Sequence, residues 1–419
     1  MRLRTVVILG LVASLAGCGS ASQVTTSQTT LVRATAPRAT PSVSRADAAA
    51  LRDGNALFAG RILAEMARTQ PNLALSPASI SQALSMAFAG ARGATASQIA
   101  AALDFTLPPA RLGSAFNAAD RSLANVNGPD TTLDIANALY GQTGQRFRQA
   151  FLDVLARDYG AGLRTADFEH ATDAARAAIN AWVSAQTRGK IPALLGPGDF
   201  DPLTKLVLVN AVYLKAKWLE PFAHQDTFPA AFHAPGATEQ IPTMHQTGTF
   251  GYKRTDGYQA LELGYRGGRL AFDILLPGPG GLQPMLSSLA SRGPLALLAG
   301  LRQTQVAVAL PKFRLRTHFE LSGPLQKLGM RLAFEPGSAD LSGIAGKPGD
   351  LYVKAVVHEA YLSVDEAGTE AAAATGVTVV GTAVPAPPPV DFVVDRPFAF
   401  VLRDTRTGAV LFTGVVSRP

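Results

Sequence analysis

Apolar residues recur at three- and four-residue spacing through ADAAALRDGNALFAGRILAEMAR from Ala46, and again through SPASISQALSMAFAGARGATASQIAAAL. The spacing predicts one helix and then two more. Ser76 and Thr95 stand where helix N-caps are expected. TLDIANALYG (132–141) predicts a strand, and FRQAFLDVLARDYG and ATDAARAAINAWVSAQTRGKI predict two further helices, the second ended by Gly189. From Leu203 the period changes: LTKLVLVNAVYLKAKW is almost continuous in Val and Leu, as in a strand covered on both faces. Strand patterns follow at IPTMHQTGTFGYKR, YQALELGY, LAFDILLP, QVAVALPKFRLRTHF, LYVKAVVHEAYLSVDEAG, FAFVLRD and AVLFTGVVSR, with ELSGPLQKLGM a helix among them. Helices gather in the first half and strands in the second, so the expected class is α+β with large, mostly antiparallel sheets and no internal repeat.

The 419 residues are 47% hydrophobic, enough for a large core and, by length alone, for two or three domains. The net charge of +7 is spread singly, without a basic run or interleaved aromatic residues, so nucleic-acid binding is not expected. The start, MRLRTVVILGLVASLAGCGS, places Arg2 and Arg4 before a short apolar run and small residues, which is the architecture of an export signal. Leu15-Ala16-Gly17-Cys18 resembles a bacterial lipobox, which implies a signal peptide over 1–17 and lipid attachment at Cys18. The chain would then sit in a bacterial cell envelope, periplasmic or surface-facing, or outside the cell. The plainer alternative is an ordinary cleaved signal with an incidental cysteine. Cys18 is the only cysteine, so the exported body relies on packing rather than disulfides. Residues 18–45, rich in Ser, Thr, Ala and Pro, are expected to be a disordered tether, and 46–419 the folded body.

Catalytic signatures are missing: no nucleophile elbow, P-loop or dinucleotide fingerprint, and HEAYL at His358 lacks the second histidine of a zinc-protease helix. The six histidines have no ligand spacing, so no metal, no cofactor and no catalytic residue is assigned, and the expectation is that the chain is not an enzyme.

GTEAAAATGVTVVGTAVPAPPPV (368–390) carries no charge between Glu370 and Asp391. It is too long for an idle loop in a compact domain. As a helix, EAAAAT would make about two turns, marginal alone. With period two, Thr369, Ala371, Ala373, Thr375, Val377, Val379 and Gly381 share one small or apolar face, which suits a strand added to a sheet.

The residues from Val357 to Thr375, VHEAYLSVDEAGTEAAAAT, resemble the reactive-loop hinge of an inhibitory serpin. NLALSPASI (72–80) resembles that family's early shutter segment, and NAVYLKAKW (210–218) with Pro221-Phe222 its central strand. Asp395-Arg396-Pro397-Phe398-Ala399-Phe400 and the segment from Gly408 to Pro419 resemble its last strands. The resemblance spans 46–419 and implies one domain of about nine helices and three sheets. It also implies a monomeric serine protease inhibitor acting as a suicide substrate: a target serine protease cuts the exposed loop, forms an acyl-enzyme, and is trapped covalently as the loop inserts into the main sheet. The hinge would comprise Glu366, Gly368, Thr369, Glu370, Ala371, Ala372, Ala373, Ala374 and Thr375. Shutter and breach positions would be Ser76, Ser79, Asn210, His358 and Trp218. Counting from Glu366 puts the reactive bond at Thr382-Ala383, with Ala383-Val384 and Val380-Gly381 as alternatives. All present small side chains, and no Lys or Arg occurs from Ala371 to Val390, so elastase-like or other small-pocket proteases are the expected targets. The alternative function is a non-inhibitory envelope lipoprotein of the same fold, a binding or chaperone-like protein.

Overall fold

The computed structural model describes residues 29–369 and 387–419. Cys18, Glu370, Ala371, Ala372, Ala373, Ala374, Thr375, Thr382 and Ala383 lie outside them. Strand β1 (Thr30–Val32) precedes helix α1 (Arg45–Met66), which Ser44 caps by accepting from the Asp47 N–H at 3.0 Å. Next come β2 (Asn72–Leu75), α2 (Pro77–Gly90), α3 (Gly93–Ala102), α4 (Pro109–Ala124), β3 (Thr131–Gln142), α5 (Gln149–Tyr159), β4 (Leu163–Ala166) and α6 (Thr172–Gln186). The strand-rich half holds β5 (Leu206–Lys217), β6 (Thr227–Ala234), β7 (Ala237–Arg254), β8 (Tyr258–Gly264) and β9 (Leu270–Pro277). After α7 (Leu282–Arg292) and α8 (Pro294–Leu298) follow β10 (Arg302–Pro311), β11 (Phe313–Glu320), α9 (Ser322–Lys327) and β12 (Ala355–Asp365). The last strands are β13 (Gly368–Thr369), β14 (Val390–Val393), β15 (Phe398–Asp404) and β16 (Val410–Val416). The described residues thus contain nine α-helices, as expected.

Seven strands form one sheet in the order β1-β4-β3-β5-β13-β12-β11. A nine-stranded ladder runs β14-β10-β7-β8-β9-β15-β16-β2, with β6 beside β7. The 18-residue β7 divides this ladder, pairing with β6 and β10 along most of its length and with β8 only at Gly251–Arg254. Its two halves serve as the second and third sheets. Pairing is mostly antiparallel, with parallel contacts at β3–β4, β5–β12 and β10–β14.

β5 is buried on both faces, as its composition requires. Val207, Val209 and Ala211 pack with α6 residues such as Ile179 and Val183. On the other face, Leu206 and Leu208 join the large helical core, and Val212, Leu214 and Ala216 join the core between the two sheets. Asn210 falls at the boundary between those cores. QVAVALPKFRLRTHF, continuous as a pattern, is two strands in different sheets, because the chain turns at Pro311-Lys312 from β10 into β11.

Two expectations are corrected. The tether assigned to 18–45 ends earlier, because Thr30–Val32 pair antiparallel with Leu163–Thr165 and Ala34 is buried. Thr95 is not a cap. α3 begins at Gly93 after Arg92, and the buried Thr95 hydroxyl instead accepts from the Asp340 N–H at 3.0 Å.

Candidate functional site

The central strands β5 and β12 run parallel, in register from Ala355↔Val207 to Tyr361↔Tyr213. Above that zipped length a wedge separates them: β13 pairs antiparallel with β12 through Val364↔Thr369 and with β5 through Thr369↔Ala216. Gly368 and Thr369, expected at the hinge, therefore already form a short ribbon inside the main sheet. Gly368 has φ 149°, and a Cβ there would lie 2.1 Å from the Ala216 carbonyl oxygen, so only glycine fits.

A dense set of bonds fixes the turn at Glu366-Ala367. The Asp365 carboxylate accepts from the Ala367 and Gly368 N–H groups at 3.0 and 3.2 Å. The Trp218 indole N–H donates to the Asp365 carbonyl at 2.9 Å, and backbone N–H groups of Trp218 and Phe222 donate to the Ala367 and Glu366 carbonyls. The Trp218 ring stacks on Tyr265 at 4.5 Å, and the Tyr265 hydroxyl sits 2.6 Å from the Thr369 hydroxyl. Burial raises the Tyr265 pKa, so its hydroxyl stays neutral beside Thr369. Burial would also raise Glu366, but the Lys312 ammonium at 2.8 Å and further hydrogen bonds overcome it and hold the carboxyl below its ordinary range. His224 stands 3.5 Å from the same carboxylate.

Under the zipped strands lies a row of polar side chains. Asn137 of β3, Asn210 of β5 and His358 of β12 are cross-strand neighbours, by the pairs Asn137↔Asn210 and His358↔Asn210. His358 Nδ1 bonds the Asn210 side-chain oxygen, while its Nε2 accepts from the Ser76 N–H at 3.2 Å. The ring is thus neutral with its proton on Nδ1, and burial pushes its pKa down to about 3. The Asn210 amide donates to Ser79 and Asn137, the Ser79 hydroxyl donates to Asn137 at 2.9 Å, and Asn137 donates to Gln82 at 3.2 Å. Ser76, a helix boundary residue as expected, accepts the Ile80 N–H through its carbonyl rather than capping with its hydroxyl.

The structure brings Ser76, Ser79, Asn210 and His358 into one cluster and places Trp218, Glu366, Gly368 and Thr369 in another. Sequence reasoning missed Asn137, Gln82, Tyr265 and Lys312. An Asn at mid-strand in TLDIANALYG was the one visible signal among them, since a central strand carries a polar side chain only where a partner awaits it.

Comparison with known proteins agrees with this arrangement. A sequence model of the family described as serpin (serine protease inhibitor) matches residues 53–419. An uncharacterized serpin-like protein of Thermococcus kodakarensis is 38% identical over 356 residues, covering 85% of this chain and 82% of its own. Leukocyte elastase inhibitor A of Rattus norvegicus is also 38% identical, over 383 residues, covering 88% and 99% respectively. The native crystal structure of the thermophilic serpin tengpin superimposes with a TM-score of 0.84 at 25% identity, over 94% of this chain and all of that one. This chain belongs to the serpin family, the serine protease inhibitors.

Proposed function

We propose that the chain is a suicide-substrate inhibitor of elastase-like or other small-pocket serine proteases, with subtilisin-like enzymes among the alternatives. The observation that carries the reading is the wedge itself: β13 already lies antiparallel to both β5 and β12 while those two remain zipped parallel below it. Extending β13 downward exchanges one parallel ladder for two antiparallel ones. Each net hydrogen bond is worth about 1 kcal/mol, and antiparallel pairing is slightly the stronger, so the exchange is downhill. It is blocked in the intact chain because the loop is tied at Val390 to β14, paired with β10. Cutting the loop removes the tie.

The protease serine would attack the Thr382 carbonyl carbon. The bond to Ala383 breaks, the serine proton passes to the Ala383 nitrogen, and the acyl-enzyme is carried off by the extending strand before water hydrolyses it. Period two from Thr369, which faces the core beside Tyr265, puts Ala371, Ala373 and Thr375 on the same inward side. Relatedness to leukocyte elastase inhibitors supports the choice of target. The proposed anchor is a lipid on Cys18. With packing established from Thr30, the stretch from Cys18 to Thr29 reaches roughly 35–40 Å when extended, the furthest the body would stand from a bilayer.

The test is to mix the protein with pancreatic and leukocyte elastase, look for an adduct that survives boiling in detergent, and sequence the released C-terminal peptide. The expected peptide begins at Ala383. Strong adducts with trypsin and none with either elastase would overturn the assignment of target.

A further inference from the structure

We propose that the outer face of β14, β10 and β7, with the adjoining start of β6, is a docking surface for the basic rim of the protease being trapped; this rests on the inhibitory reading above. The three strands align two cross-strand rows, Val393–Ala309–His245 and Asp391–Ala307–Thr247. Their other face is core: Val306, Val308 and Phe392 are buried. The paired alanines leave a depression of about 450 Å³ on the outer face, walled by Phe228 and Val393, which are 50% and 46% exposed. Phe228 is not loose. Its ring stacks on the His245 imidazole at 4.0 Å, and His245 Nδ1 lies 3.1 Å from the Asp226 carbonyl oxygen.

Two of the five exposed large hydrophobic side chains among the described residues, Phe228 and Val393, therefore occupy one surface. Such side chains are unremarkable singly, but together they mark an interaction site. Charge identifies the occupant. Asp226 and Asp391 rim the depression, neither of them in an ion pair among the described residues, and no Lys or Arg lines it. That is the reverse of the whole chain, whose net charge is +7. Position identifies it further. Asp391 is nine residues beyond Thr382 (391 − 382), so the surface lies at most roughly 30 Å of chain from the bait bond, about the diameter of one small domain. A protease engaged on the bait has this face within its footprint, and rim charges act chiefly on the rate of encounter.

The experiment compares the parent with Asp226→Lys/Asp391→Lys and with Val393→Ser, each against leukocyte and pancreatic elastase. It measures the association rate and the number of inhibitor molecules consumed per protease, at ionic strengths of about 0.05 and 0.5 M. The charge variant is expected to associate about tenfold more slowly at low salt with at least one enzyme, the gap closing at high salt, while the number consumed per protease is unchanged. Val393→Ser, which alters no charge, is expected to slow association several-fold at both salts. Parent and variant rates equal throughout would overturn the docking surface and leave the inhibitory reading intact. A parent that forms no heat-proof adduct with any protease overturns both. A parent dimer that the variants dissociate assigns the surface to a second copy of the chain and overturns the protease as occupant.

Discussion

At the scale of single residues, the informative group is His358, a fully buried histidine whose two ring nitrogens are both committed. Its pKa is depressed from 6.5 to about 3, so the fold favours the neutral ring. The stability this contributes is complete above pH 6.5 and is lost as pH falls toward 3, by about 1.4 kcal/mol per pH unit while the unfolded chain binds the extra proton. His318 acts in the opposite sense: Glu359 raises its pKa, a contribution present at low pH and lost as pH rises. That ring is 45% exposed, however, and screening shrinks its effect, so of the two histidines His358 has the larger effect on the acid side. His358→Gln should therefore be less stable than the parent at pH 7.5 and should lose much less on going to pH 4.5. Urea unfolding midpoints across that range check this, and parallel pH slopes would refute it. The sequence announced His358, Asn210, Ser76 and Ser79 through the family resemblance alone. Composition and spacing could not show that they meet, because the cluster joins residues up to 282 apart in the chain. The contact between Tyr265 and Thr369, 104 apart, was hidden for the same reason.

At the scale of elements, the proposed strand insertion is constrained by parity. Thr369 points into the core against Tyr265, so Thr375, six residues on, falls on the same side of an extending strand. Thr375→Arg would force an ionised guanidinium between the sheets, at a penalty of several kcal/mol unless it finds a partner. The acyl-enzyme would then be hydrolysed before insertion finished. The expected outcome is faster turnover as a plain substrate: the loop is cut at the parent rate, but many inhibitor molecules are consumed per protease trapped. Titration of residual elastase activity measures that number, and a value near the parent's would refute the parity argument. Long elements were legible in sequence, α1 by its recurring apolar residues and β5 by its continuous run of Val and Leu. Helix α4 was not singled out, although its buried Leu112, Ala115, Phe116 and Leu123 recur at helical spacing and the signal was there to be read. The short strands β1, β4 and β14 are too brief to show any period, and pairing partners distant in the chain select them.

At the scale of the whole molecule, the ordered arm from Thr29 to Ser44 is what the sequence concealed most completely. A segment rich in Ser, Thr, Ala and Pro looks like a tether because it lacks a hydrophobic period, yet docking needs only a few well-placed bonds. Arg38 donates to Asn117 at 2.9 Å and pairs with Asp120 at 2.5 Å. The buried Asn117 amide donates to the carbonyls of Ala39 and Arg157, and the Ala39 N–H donates to the Arg157 carbonyl. β1 meanwhile covers the outer edge of β4. Deleting residues 1–43, which keeps the Ser44 cap of α1, should strip Asn117 and Asp120 of their partners in the arm and expose the backbone edge of β4. Unmet polar groups of this kind are worth about 1–3 kcal/mol each, so a fall in Tm on the order of 5 °C is expected. An uncovered sheet edge also templates pairing between molecules, so the shortened chain should aggregate at lower concentration. Arg38→Ala in the full chain should reproduce part of the thermal loss with β1 still in place. Calorimetry and light scattering separate the two effects, and a shortened chain that melts within a degree of the parent and stays monodisperse would show that the arm contributes nothing to the body it covers.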